Sequence, residues 1–116
     1  MSSHWISETK REAIYESDGR RCIYCGAPEG EGTESLTLDH LFPQKLGGGH
    51  EAWNLATCCL SCNSAKQETS VDKFLRQLER AGHPASEIRH RIRLAVRRHQ
   101  RIETAMPVRT RRTRRV

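Results

Sequence analysis

The chain has 116 residues, of which 35% are hydrophobic and 5% aromatic, and its formal net charge is +6. A chain of this length forms one domain at most, and so few aromatic residues predict a small apolar core that needs an additional constraint. The sequence has no apolar run of about 18 residues and no basic-then-apolar leader, so we expect a cytoplasmic protein with no membrane partner.

The charge is divided unevenly along the chain. Residues 1–70 carry a net charge of −4, whereas residues 71–116 carry +10, and nearly all basic residues of this second part are arginines. The planar guanidinium group of arginine pairs well with phosphate, so the basic part predicts a nucleic-acid partner. A solvated helix face followed by a disordered basic end is the alternative interpretation of the same charge.

The first predicted element is a helix over Glu8–Ser17, because Ser7 is a good N-cap and glutamates occupy the first turns. We expect Ala13, Ile14 and Tyr15 on this helix to pack against the first cysteine pair. Residues 26–35 are rich in glycine, glutamate and proline, which predicts a loop.

A strand, a loop, a second strand and a short helix are predicted next. Leu36–His40 alternates apolar and polar residues, which is typical of a strand. Pro43 and three consecutive glycines predict a loop over residues 42–53. The second strand is expected over residues 54–58, and a helix from about residue 59 to residue 67 follows it.

Two further helices are predicted in the basic part of the chain. The first covers residues 71–81 and has Thr69 or Ser70 as its cap, and the second begins near Pro84 and has its own apolar stripe. Arginines repeat every four residues on another face of the second helix, at Arg89, Arg93, Arg97 and Arg101. Three histidines lie among polar positions and are expected to be solvated: His83, His90 and His99.

Four cysteines form two C-x-x-C pairs, Cys22 with Cys25 and Cys59 with Cys62. Two-residue gaps deliver thiolates to a tetrahedral zinc ion in pairs, so the pattern predicts a structural zinc site rather than a disulfide framework. Cys58 makes the register of the second pair ambiguous. We prefer Cys59 because it restores the two-residue gap, and we expect Cys58 in the core.

Harder donors accompany these thiolates. Asp39 and Asn63 offer carboxylate and amide oxygens, which favour Mg²⁺ or Mn²⁺, and His40 can act as a general base near neutral pH. His40 and Asn63 also have structural explanations. A histidine at a strand end is often a surface residue, and Asn63 can stabilise a turn. Soft and hard donors together indicate metal-dependent chemistry on a phosphate.

The order D-H, a Pro- and Gly-rich loop, N-L and C-x-x-C-N-x-x-K over residues 22–66 resembles the HNH endonuclease family. The resemblance implies an α+β fold: a small ββα-metal (His-Me finger) core over residues 1–70, stapled by the four-cysteine zinc site, with flanking N- and C-terminal helices. A helical extension over residues 71–104 and a basic, disordered tail over residues 105–116 would follow. The last letter of the motif is Asn63 instead of histidine, an H-N-N variant that the family includes.

The resemblance also implies roles for single residues. His40 would be the general base, Asp39 and Asn63 would hold a catalytic Mg²⁺ or Mn²⁺, and Asn54 would fix the His40 segment by hydrogen bonds. The implied activity is a DNA endonuclease that leaves 5′-phosphate and 3′-hydroxyl ends. We expect phosphate contacts from Lys66, Arg89, Arg93, Arg97, Arg101, Arg111 and Arg112. Lys66 could equally be solvated, and His50 could either approach the substrate or orient another group.

Two other functions remain open at this point. One is a non-catalytic, zinc-stapled nucleic-acid-binding module in which the D-H and N positions are structural, and the other is a ribonuclease or toxin on the same core. The sequence leaves the biological setting open between phage packaging, restriction and mobile-element homing. The analogy with phage and prophage genes makes a phage packaging partner or another protein partner one option. The sequence indicates no oligomeric state.

Overall fold

The computed structural model describes residues 5–30 and 35–108. Its helices and strands are α1 (Glu8–Ser17), β1 (Leu36–His40), β2 (Leu55–Cys59), α2 (Leu60–Lys66), α3 (Val71–Arg80) and α4 (Ala85–Ala105). The predicted α+β class and order of elements are confirmed. The 3₁₀ turn Gln44–Leu46 lies within the predicted loop. A second one, Ala52–Asn54, extends one residue past that loop, so β2 begins one residue later than predicted.

Serine caps determine where two of the helices begin. The Ser7 hydroxyl accepts a hydrogen bond from the backbone N–H of Lys10 at 3.1 Å and caps α1. The Ser70 hydroxyl does the same for Lys73 at 3.2 Å, so Ser70 is the cap of α3. Thr69 instead donates its hydroxyl to the carbonyl of Lys66 at 2.8 Å. Each cap satisfies an N–H group that has no partner within its helix.

The two strands form an antiparallel pair in which His40 is opposite Leu55 and Leu36 is opposite Cys59. Helix α2 begins directly after β2, and its last residue, Lys66, contacts Asp39 near the end of β1. Helix α2 therefore runs back along the sheet toward His40. This strand–loop–strand–helix unit brings residues distant in sequence to the end of β1.

Two apolar cores cover the sheet. The α1 core contains Ile6, Ile14, Tyr15, Leu38, Ala52 and Leu55. The α3–α4 core contains Cys22, Ile23, Tyr24, Leu41, Ala56, Cys58, Cys59, Phe74, Leu75, Ile88, Ile92 and Ala95. Successive strand residues point to opposite faces, so Leu55 belongs to one core and Ala56 to the other. All five residues of β2 are consequently buried.

The expected packing of α1 against the first cysteine pair is wrong. Ile14 and Tyr15 lie in the α1 core with Leu38 and Leu55, whereas Cys22 lies in the α3–α4 core. The apolar side of α1 therefore covers the sheet, whereas helices α3 and α4 cover the cysteines.

Helix α4 contacts both cores. Its 21 residues give it a length of about 31 Å, with Ile88 and Ile92 in the α3–α4 core and Ile102 packed against the α1 core. The expected exposure of His99 is wrong, since its side chain is fully buried, whereas His83 and His90 are exposed. Across the two described ranges, no helix combines the length and apolar character needed to cross a membrane.

Candidate active site and metal centre

The sulfur atoms of Cys22, Cys25, Cys59 and Cys62 lie within 4.8 Å of one another. The Sγ atoms of Cys25 and Cys59 are 3.8 Å apart. A zinc tetrahedron with Zn–S bonds of about 2.3 Å has S–S edges of about 3.8 Å, so the four thiolates fit a zinc ion. The backbone N–H of Cys62 donates a hydrogen bond to the sulfur of Cys59 at 3.4 Å.

The second cysteine pair begins at Cys59, as the two-residue gap predicts. Cys58 does not belong to the group of four sulfurs, and its side chain is completely buried in the α3–α4 core. Its thiol donates to the carbonyl oxygen of Cys59 at 3.3 Å. Cys58 and Cys59 both belong to the α3–α4 core, and the Cys58 thiol lies within hydrogen-bonding reach of the sulfur of Cys22.

A pocket of about 280 Å³ opens between the end of β1 and helix α2. Asp39, His40 and Asn63 all line it, together with Leu38, Pro43, Gln44, Gln67 and Glu68. The carboxylate and amide oxygens in one pocket form a donor set that fits a hard divalent cation whose remaining positions are filled by water. The structure thus brings the predicted base and both predicted metal ligands together.

The carboxylate of Asp39 is only 4% exposed, and both of its oxygens have partners. The hydroxyl of Tyr24 donates to Oδ2 at 2.7 Å, and the ammonium group of Lys66 lies 3.3 Å from Oδ1. Burial raises the pKa of Asp39 above its ordinary value, although the charge of Lys66 and the hydrogen bond from Tyr24 oppose that rise. These two contacts hold the carboxylate in a fixed orientation at the pocket wall.

The prediction that Lys66 contacts a phosphate is wrong, and so is the solvated alternative. Its side chain is 1% exposed, and its ammonium group donates to the carbonyl oxygens of Thr69 at 2.6 Å and His40 at 3.0 Å besides pairing with Asp39. Because α2 runs back along the sheet, this lysine points into the protein. It joins the end of α2 to the end of β1.

His40 is half-buried and forms a close pair with His50. Nε2 of His40 lies 3.0 Å from Nδ1 of His50, and the Trp5 ring packs against both rings with centroid distances of 5.1 and 4.7 Å. Burial, the charge of His50 and the charge of Lys66 lower the pKa of His40 to about 4. The His40 ring is therefore neutral at neutral pH and has a lone pair that can accept a proton.

Asn54 connects the segment after His40 with the segment before His50. Its side-chain oxygen accepts from the N–H of Phe42 at 2.9 Å, and its NH₂ group donates to the carbonyls of Phe42 and Gly49, both at 3.0 Å. Gly48 allows this close return, because a Cβ atom there would lie 1.8 Å from the Phe42 carbonyl oxygen. Asn54 thus fixes the position of both histidine segments.

The predicted DNA-binding arginines lie in different settings. Arg89 forms an ion pair with Asp72 at 2.7 Å, whereas Arg93, Arg97 and Arg101 are exposed on α4. Arg111 and Arg112 lie outside the described residues.

Two side chains of the site were not expected from the sequence. Tyr24 lies between the paired cysteines and supports Asp39, and Trp5 lies before α1 and packs on both histidines. Each contact joins segments separated by at least 15 residues, so no local pattern indicates it. The aromatic residue inside the first C-x-x-C pair is the only sequence feature that could have drawn attention to Tyr24.

The HNH endonuclease family model matches residues 22–79, which is half of the chain. The chain therefore belongs to the HNH endonuclease family, and this membership supports a nuclease function on a nucleic-acid substrate. The crystal structure of the Type II-C Cas9 enzyme from Actinomyces naeslundii is similar, with a TM-score of 0.58 and 27% sequence identity. The similarity covers 94% of this chain but only 12% of that enzyme's chain. No curated protein sequence matches the chain.

Proposed function

We propose that the protein is a metal-dependent endonuclease that hydrolyses DNA phosphodiester bonds, with His40 as the general base. The observation that carries this proposal is the single pocket lined by Asp39, His40 and Asn63. Family membership supports a nuclease, and the choice of DNA and of a catalytic metal is our inference.

Two metals are proposed for two donor sets. Asp39 and Asn63 would hold Mg²⁺ or Mn²⁺, and the four cysteines would hold a structural Zn²⁺. When bound, the catalytic cation would neutralise charge that develops on the scissile phosphate and the leaving oxygen. Asn63 directly follows the zinc ligand Cys62 on α2, so the zinc site also fixes the orientation of this part of the pocket.

The neutral ring of His40 would take a proton from the water molecule that attacks phosphorus. The new P–O bond forms as the bond to the 3′ oxygen breaks, and that oxygen then receives a proton. The products would be the 5′-phosphate and 3′-hydroxyl ends that the family resemblance implies. Asn54 would keep His40 in place through its contacts with Phe42.

Affinity for DNA would come from the basic part of the chain. The exposed Arg93, Arg97 and Arg101 on α4 are proposed to contact backbone phosphates. Arg89 could join them once its ion pair with Asp72 opens. A cytoplasmic location, the phage packaging partner and the contacts of Arg111 and Arg112 remain predictions from the sequence.

Cleavage of supercoiled plasmid tests the proposal. Zinc-loaded protein is incubated with plasmid and Mg²⁺ or Mn²⁺. Wild type is compared with His40→Ala and with His83→Ala, which removes an exposed histidine. We expect wild type and His83→Ala to cut, and His40→Ala to be slower by on the order of 10²–10⁴-fold, the usual contribution of a general base. Equal cleavage by folded His40→Ala would contradict the assigned base.

One observation favours a second function, the non-catalytic nucleic-acid-binding module. Both oxygens of Asp39 already have protein partners, Tyr24 and Lys66, so this carboxylate also has a purely structural explanation. DNA binding by zinc-loaded wild type without cleavage of plasmid or of an RNA substrate would favour the module. Cleavage of RNA alone would indicate a ribonuclease on the same core.

A further inference from the structure

We propose that His50 is a positioning residue that accepts a hydrogen bond from Nε2–H of His40 and thereby leaves Nδ1 of His40 as the proton-accepting atom. The inference rests on the proposed function of His40 as general base. It starts from the 3.0 Å contact between Nε2 of His40 and Nδ1 of His50.

The direction of this hydrogen bond follows from the chemistry of imidazole. A neutral ring carries one proton and one lone pair, so at 3.0 Å one of the two facing nitrogens donates and the other accepts. If His50 donated, the single proton of His40 would lie on Nδ1 and its lone pair would already be occupied. Only donation from His40 to His50 leaves His40 with a lone pair for water.

The surroundings show that the pair is held in place from several sides. The Trp5 ring packs against both imidazoles. Asn54 binds the carbonyl of Gly49, the residue before His50, and both backbone polar groups of Phe42, two residues after His40. These contacts fix two segments ten residues apart in sequence, which is what a defined ring-to-ring hydrogen bond requires.

During the reaction the same contact would keep Nδ1 of His40 oriented toward the attacking water. The attacking water gives its proton to Nδ1 of His40, and the ring becomes an imidazolium ion. Its Nε2–H continues to donate to Nδ1 of His50, so the ring keeps its orientation while the proton is transferred. The proton remains on His40 until it is returned to the departing oxygen or to solvent.

Nitrogen-15 NMR of the histidine side chains tests the hydrogen bond directly. Long-range ¹⁵N–¹H spectra at neutral pH report which ring nitrogen of His40 carries the proton, in wild type, His50→Asn and His50→Ala. The asparagine oxygen can replace Nδ1 as an acceptor. We expect the Nε2–H form in wild type and in His50→Asn, and a mixture of both forms in His50→Ala. The Nδ1–H form in wild type, or an unchanged form in His50→Ala, would overturn the inference.

Plasmid cleavage by the same variants tests the consequence for catalysis. We expect His50→Ala to lower kcat by on the order of 10- to 100-fold with KM for DNA and zinc content unchanged, a smaller loss than for His40→Ala. His50→Asn should recover most of this loss, and the exposed-site variant His83→Ala should lose nothing.

An unchanged kcat in His50→Ala, in a protein whose wild type cuts, would overturn the assigned role. So would an equal loss in His50→Asn and His50→Ala. If wild type does not cut DNA, the proposed function fails, and the NMR measurement still decides whether His50 accepts from His40.

Discussion

The four-cysteine site and the pocket lined by Asp39, His40 and Asn63 meet at α2, yet the protein assembles them by different means. The four sulfurs come from two short C-x-x-C segments and are supported by local backbone N–H groups. The pocket depends on buried side chains from distant segments, such as Tyr24, Lys66 and Asn54. The first site is built by local spacing and the second by long-range polar contacts.

This difference predicts that changes at the two sites affect the stability of the domain to different extents. Loss of the zinc site removes the constraint on which a small core depends, so its effect should extend to the whole domain. Loss of one pocket contact leaves the remaining contacts in place, so its effect should be smaller and graded. The following measurements are ordered from the largest expected effect to the smallest.

Removal of zinc should unfold the protein. Structural zinc contributes about 10–16 kcal/mol of apparent binding free energy at neutral pH, compared with about 5–15 kcal/mol for the stability of a whole domain. We expect a strong chelator, or Cys25→Ser at the exposed ligand position, to abolish the helical circular dichroism signal. Cys58→Ala is the matched control and should keep one zinc ion per chain. A chelated protein with an unchanged spectrum would show that zinc is not the constraint.

Replacement of Lys66 by methionine should destabilise the domain by about 3–5 kcal/mol, because the buried carboxylate of Asp39 loses its charged partner. Urea unfolding of the zinc-loaded protein measures this change. The control is Lys45→Met, whose ion pair with Glu68 is largely exposed and should contribute about 1 kcal/mol or less. Adding Asp39→Asn to Lys66→Met should restore part of the loss. Similar values for both single lysine variants would contradict the buried role of Lys66.

The contact between Asp18 and the buried His99 makes the free energy of unfolding depend on pH. Burial raises the pKa of Asp18, but His99 and the N–H of Thr57 outweigh burial, so its pKa lies below the usual 3.8. The folded state therefore favours the carboxylate, and the resulting stability is present above about pH 4 and lost as pH falls through the folded value. The free energies of unfolding of wild type and Asp18→Asn, measured with urea between pH 5 and 3, should differ by less as the pH falls. Wild type and Asp18→Asn share the four cysteines, so any pH dependence that comes from the thiolates cancels in the comparison. A difference in unfolding free energy that stays constant with pH would contradict the role assigned to Asp18.

Changes on the surface of α4 should leave both sites intact. Replacing Arg93 and Arg97 by glutamine should weaken DNA binding and flatten its salt dependence by about 0.9 in log–log slope for each lost phosphate contact. Fluorescence anisotropy at several salt concentrations measures the slope, and Arg21→Gln, at an exposed position in the acidic part, serves as control. An unchanged slope would place the DNA surface elsewhere.

Local features of this fold were predictable from sequence because their causes are local. The Ser7 cap, the alternation in Leu36–His40 and the two-residue gaps of the cysteine pairs each act within a few residues. The same reasoning could not bring Asp39, His40 and Asn63 together. Their convergence depends on strand pairing and on the direction of α2, and it was expected only from the family resemblance.

The buried polar residues show where such reasoning fails. Lys66 and His99 were expected at the surface because both are polar, but Lys66 meets Asp39 and His99 meets Asp18, far away in sequence. For His99 a signal was present, since it follows Ile92 and Ala95 at helical spacing and continues the buried face of α4. The polar ring is accommodated at this buried position because Nε2 of His99 bonds to Asp18 and Nδ1 bonds to the carbonyl of Leu55.

Helix α4 has a consequence for how the domain responds to its ligands. Because one continuous helix contributes side chains to both apolar cores, we expect unfolding of α4 to open both cores together. A ligand that binds only the folded state raises the free energy of global opening wherever its own site lies. Zinc at the cysteines would thus also protect the distant α1 core, and the domain would act as one cooperative unit although its interior is divided in two.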